Sequence, residues 1–72
     1  MNTKILENLG KMLRTLRKEK GYTQEFLAEK VGVHPTYIGK LEKGKSNLSV
    51  ILLFKLSRAL DTNLSKVFEF DK

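Results

Sequence analysis

The chain has no cysteine and no tryptophan, and only one proline, one histidine and two aspartates among its 72 residues. Without cysteine it can carry neither a disulfide staple nor a thiolate metal site. His34 stands alone, with no other ligand clustered near it in sequence, so no metal is expected. The eight acidic residues form no convergent pair, and neither a nucleophile motif nor a glycine-rich phosphate loop is present. Enzyme chemistry and a cofactor therefore find no support. No apolar run approaches the roughly 20 residues that cross a bilayer. The amino terminus lacks the apolar core of a signal peptide. A cytoplasmic protein with no membrane partner is expected. Low-complexity tracts, internal repeats, proline-rich linkers and strand patterns are also missing, which predicts a single all-α domain over residues 1–72.

What is abundant is positive charge. Fourteen Lys and Arg stand against eight acidic residues, a net charge of +6 and a pI near 9.8. A pI above about 9 with clustered lysines is the electrostatic footprint of a nucleic-acid binder. Lys40, Lys43 and Lys45 fall at or just after one predicted helix. A chain this short buries only about 60% of its unfolded surface, so its own core leaves it marginally stable.

Five helices are predicted. In the first, over 5–20, Ile5, Leu6, Leu9, Met12, Leu13 and Leu16 form an amphipathic stripe. Lys11, Arg14, Lys18 and Lys20 occupy its remaining surface, and late cations suit the helix dipole. Gly21 ends it. The most informative stretch follows, TQEFLAEKVGVHPTYIGKLE over 23–42. Thr23 is an N-cap for a helix over 24–31, in which Leu27, Ala28 and Val31 share one face. Gly32 is the αL stop and Val33 an apolar linker residue. Pro35 can only begin a helix, which then runs to Glu42 with Ile38 and Leu41 inward. Two short helices joined by a tight glycine-containing turn make a helix-turn-helix. Gly44 closes the second, and the loop Lys45-Ser46-Asn47 follows. Ser49 caps a fourth helix running to about Leu60, with Asp61 at the position after its cap. Asn63 caps a fifth over 64–68.

The residues Thr23, Gln24, Leu27, Ala28, Gly32, Val33, Ile38, Glu42, Lys43, Gly44 and Lys45, with Leu53, Leu56, Ala59, Leu60 and Phe68 beyond, resemble the Cro/cI (XRE-type) helix-turn-helix family of phage repressors and bacterial regulators. The resemblance runs from about Leu9 to Phe68. Within that family TYIGKLEKGKSNLS looks most like the small controller proteins of restriction–modification systems. The resemblance implies a five-helix λ-repressor-like domain. It further implies a homodimer that sets the helix beginning at Pro35 into the DNA major groove. An ion pair between Arg17 and Glu42, fixing that helix to the scaffold and holding Arg17 near a phosphate, is also implied.

Candidate DNA-binding residues follow from chemistry and position. Phosphates need cations and helix N-terminal N–H groups. Thr23 and Gln24 open the second helix. In the resembled family this Gln meets a phosphate and braces the next helix. Lys43, Lys45, Ser46 and Asn47 lie on the loop that the resemblance runs along the DNA backbone. Base reading needs side chains from the first turns of the recognition helix. Thr36 can donate, accept or touch a thymine methyl. Lys40 can donate to guanine O6 and N7, and its position reads bases in the resembled repressors. Tyr37 reaches a thymine methyl or a phosphate, or else packs against the preceding helix. His34 is an imperfect N-cap, or a phosphate or base contact. Pro35 makes no hydrogen bond. Gly39, inside a helix, costs about 1 kcal/mol relative to Ala. It marks a close approach by DNA, or a side chain lost without consequence.

The fourth helix is more apolar than one small core requires. Val50, Leu53, Phe54, Leu56 and Leu60 point into one face, with Leu52 and Ala59 beside it. Ile51 falls apart, next to Lys55 and Arg58. A homodimer interface within 49–70, drawing on Ile51, Leu52, Lys55, Ala59, Leu64, Phe68 and Phe70, is expected. The reading is a sequence-specific transcriptional regulator acting on a pseudo-palindromic double-stranded operator, with no small-molecule ligand evident. The alternative is an antitoxin or other protein-interaction module on the same fold.

Overall fold

Side-chain acceptors cap the starts of four helices in this chain. The structure, a computed structural model, describes residues 3–69. Over that range it holds α1 (Thr3–Glu19), α2 (Gln24–Val31), α3 (Pro35–Glu42), α4 (Val50–Ala59) and α5 (Leu64–Val67), and no strand. Thr23 Oγ1 accepts the Phe26 N–H, His34 Nδ1 the Thr36 N–H, Ser49 Oγ the Leu52 N–H and Asn63 Oδ1 the Lys66 N–H. Each satisfies an N–H that the helix itself leaves open.

Three helices end in one way. Past α3, the Gly44 N–H bonds to the Leu41 carbonyl and the Lys45 N–H to the Lys40 carbonyl, with Gly44 at φ 72°. This six-to-one closure, with a left-handed residue at its centre, is the Schellman arrangement. Gly21 closes α1 and Asp61 closes α4 by the same pair of bonds, and Asp61 accepts φ 54° to do so. Aspartate tolerates that region better than most side chains.

The core is drawn from every helix: Leu9, Leu13 and Leu16 of α1, Leu27, Ala28 and Val31 of α2, Ile38 and Leu41 of α3, Leu53 and Leu56 of α4 with Leu60 at its cap, and Val67 of α5. Among the described residues no buried side-chain polar atom lacks a hydrogen-bond partner. α1 crosses the carboxyl end of α3 at very short range. A Cβ on Gly10 would overlap the backbone carbonyls of Leu41 and Glu42, and one on Gly44 would overlap the backbone of Glu7. These two glycines let α1 seat the end of α3.

Several expectations shift. α1 begins earlier, at Thr3, and ends at Glu19; α5 stops at Val67, with Phe68 as its cap. Ile5 is half exposed rather than in the core. Val50 and Phe54, expected on the inner face of α4, are 76% and 50% exposed. Ser57 lies inward instead, buried with its hydroxyl donating to the Phe54 carbonyl at 2.8 Å. A polar residue that satisfies itself one turn back can lie inward. The buried arc of α4 is therefore Leu53, Leu56, Ser57 and Leu60, and at about 100° per residue Phe54 and Val50 fall on its flank.

Candidate nucleic-acid interface

α3 is held from behind. Arg17 of α1 donates from Nε to Glu42 Oε2 at 2.6 Å and from Nη2 to Glu42 Oε1 at 3.0 Å. Its Nη1 donates to the Tyr22 carbonyl at 2.7 Å. Gln24 Nε2 donates to the same Glu42 Oε1 at 3.0 Å. α1, α2 and the last turn of α3 thus meet at one carboxylate. Arg17 and Glu42 are each only 7% exposed. The hydrogen bond to Glu42 raises the Arg17 pKa against the opposing effect of burial. The expected Arg17–Glu42 ion pair is present, and these three Arg17 hydrogen bonds go to acceptors of the protein itself.

With its back fixed, α3 presents its other side. Gln24, Pro35, Thr36, Gly39, Lys40, Lys43 and Lys45 line a single open cleft, together with Glu25. Thr36, Lys40, Lys43 and Lys45 are exposed, and none of the three lysines has a carboxylate partner among the described residues. The Schellman closure matters here, because the Lys45 N–H returns to the Lys40 carbonyl and folds the loop back beside the helix.

The other predicted residues do not line this cleft. Thr23 and His34 are exposed caps. Because His34 Nδ1 accepts, the ring's proton is on Nε2, which leaves a donor on the side away from the helix. Tyr37 is partly buried against the core, and its hydroxyl donates to the Asn47 carbonyl at 2.7 Å. It braces the loop that carries Ser46, half-buried, and Asn47, exposed. At Gly39 the nearest neighbour of an added Cβ would be the Gln24 side-chain amide, at 3.6 and 3.9 Å, which is ordinary contact.

Lys11 and Arg14 were not singled out by sequence. They line an adjoining cleft with Gln24, Gly39, Glu42 and Lys43. The available signal was their spacing of three on α1, one turn apart on one face. It points nowhere until α1 is known to lie against α3. Among the described residues no group of three His, Cys, Asp or Glu is placed to hold a metal ion.

None of the expected dimer residues among those described lines either cleft. Ile51 is 70% exposed, Leu64 and Phe68 are partly exposed, and Lys55 is exposed. Leu52 and Ala59 are half-buried against the core. Phe70 lies outside the described residues. Val50 and Phe54 add their apolar surface to the same helix, with the Arg58 guanidinium 5.7 Å from the Phe54 ring centre.

The sequence matches the HTH_3 helix-turn-helix family model over residues 13–67. It is 44% identical over 59 residues to an uncharacterized HTH-type transcriptional regulator of Archaeoglobus fulgidus, covering 82% of this chain and 84% of that protein. It is 38% identical over 63 residues to the control protein C.SmaI of Serratia marcescens, covering 88% and 75%. The crystal structure of the restriction-modification controller protein C.AhdI from Aeromonas hydrophila superposes with a TM-score of 0.84 at 40% identity, covering 88% of this chain and 96% of that one. A braced α3 behind an open cationic cleft agrees with these likenesses, and the chain belongs to the helix-turn-helix family of transcriptional regulators.

Proposed function

We propose that this regulator binds double-stranded DNA as a homodimer on a pseudo-palindromic operator, with α3 of each protomer in the major groove. One observation carries the reading: the first turns of α3 line an open cleft whose three lysines have no internal carboxylate partner among the described residues. Such cations gain most from phosphates, whose counterions they displace. Thr36 and Lys40 are the base readers, Lys43 and Lys45 take phosphates, and the Gln24 backbone N–H opens α2 toward another. Gly39 gives clearance. Thr23, His34, Tyr37, Ser46 and Asn47 border the contact, with Tyr37 holding the loop and the His34 Nε2–H free to donate. Control of transcription follows from occupancy of the operator, in the cytoplasm and without catalysis.

The exposed apolar side of α4 and α5 supports the homodimer. Val50, Ile51, Phe54 and Leu64 lie there with Phe68, and a domain of this size gains from covering them. Half-sites one turn apart place the two recognition helices about 34 Å from one another, roughly 17 Å each from the two-fold axis. A protomer of 28 × 21 × 20 Å spans that distance. Selection of bound sites from a random duplex pool tests the reading. A two-fold symmetric consensus with half-sites one turn apart is expected; recovery of no consensus would overturn it.

A further inference from the structure

We infer that the middle of α1 belongs to the DNA-binding surface, with Lys11 and Arg14 holding duplex backbone beside the stretch that α3 engages. The inference rests on the proposed function and extends its footprint.

Lys11 and Arg14 are exposed and one turn apart on one face of α1. Neither has a carboxylate partner among the described residues, although Glu7 lies one turn before Lys11. The helix dipole does not account for Lys11, since the effect is confined to the last turn, where Arg17 and Lys18 stand. The two side chains share a cleft with Lys43, Gln24, Gly39 and Glu42. Glu42, the one carboxylate there, is buried and already gripped by Arg17 and Gln24. What the cleft offers an occupant is three cations with no exposed anion, which selects for negative charge.

The occupant is identified by continuity. Gln24, Gly39 and Lys43 line this cleft and also the one in front of α3. The two clefts adjoin along these residues, and Gly39 lies on the wall they share. A Cβ at that position would stand in ordinary contact with the Gln24 amide, at 3.6 and 3.9 Å, and would meet nothing closer. Internal packing therefore does not require glycine at 39, in contrast to Gly10, where α3 backbone blocks any Cβ. A bare helix surface at the junction lets a polyanion pass from one cleft to the next. A duplex engaged by α3 brings such a polyanion, its own sugar–phosphate backbone. Lys11 and Arg14 then carry affinity without sequence information.

The test compares the parent chain, Lys11→Gln/Arg14→Gln, and Lys43→Ala on the selected operator and on a random duplex across a salt series. Both α1 positions are exposed, so the double variant keeps the parent's urea midpoint, and circular dichroism checks this. Expected is a drop of about 1.8 in the log–log salt slope, two contacts at about 0.9 each, with affinity lost by one common factor on both duplexes. An unchanged slope in the double variant, while Lys43→Ala still lowers it, would overturn the α1 contact and leave the proposed function standing. A parent chain that binds neither duplex would overturn both.

Discussion

Glu42, on the last turn of α3, takes two hydrogen bonds from Arg17 of α1 at 2.6 and 3.0 Å, across 25 residues of sequence. Both partners are buried. Removing one leaves the other as an uncompensated buried charge, which costs about 3–5 kcal/mol. Arg17→Met and Glu42→Leu should each lower stability by about that much in urea unfolding. The double variant should lose clearly less than the sum. Additive losses would show that the two residues do not act as a pair.

Lys20 and Asp61 join the end of α1 to the end of α4 at the surface. The hydrogen bond from the Lys20 ammonium holds the Asp61 carboxyl below its ordinary pKa, and Asp61 in turn raises Lys20. The folded chain therefore binds the carboxyl proton less tightly than the unfolded chain. The pair's contribution is complete above the unfolded carboxylate value of about 3.9 and fades as pH falls through the lower folded value. At the alkaline end it is present below the unfolded lysine value of about 10.4 and is lost as pH rises through the higher folded one. Asp61→Asn retains a residue that accepts the left-handed backbone. Its stability difference from the parent should be small, largest near neutral pH and vanishing at both extremes. A difference independent of pH would remove the ion pair as its cause.

Thr36 and Lys43 line the same cleft but serve different ends in the proposed complex. Thr36→Ala should cost roughly 1–3 kcal/mol on the selected operator and little on random duplex. Lys43→Ala should weaken both alike and flatten the salt slope by about one unit. Equal losses on both duplexes for Thr36→Ala would argue against base reading.

Gly39→Ala separates folding from binding. The added methyl meets only the Gln24 amide at 3.6 Å, so the helix should gain about 1 kcal/mol in thermal or urea unfolding. Operator affinity should fall, because the methyl stands on the wall that the two clefts share. A variant that is both more stable and equally tight would mean that the glycine gives DNA no clearance.

Ile51 is the cleanest probe of self-association. It is 70% exposed, whereas Leu52 packs partly against the core. Ile51→Glu should leave the fold intact and shift sedimentation to the monomer. An unchanged dimer would place the interface elsewhere.

The amino-acid sequence by itself determined the starts of α2 to α5, the turns and the motif, because these depend on neighbours within about four residues. Thr23, Ser49 and Asn63 cap, Gly21, Gly32 and Gly44 take positive φ, and Pro35 opens α3, all as local chemistry requires. Thr36, Gly39 and Lys40 were legible for the same reason, since helical spacing turns them away from Ile38 and Leu41. Only the tertiary structure decided what depends on packing between distant segments. Gly10 became a crossing point because α1 lies on the end of α3. Phe54 came to lie outward while Ser57 was buried beside Leu53, Leu56 and Leu60. Tyr37 was drawn to Asn47, and Lys11 and Arg14 were carried beside Lys43. A helix specifies its own faces. Which face meets a neighbour, and at what distance, depends on the fit of all the side chains between them.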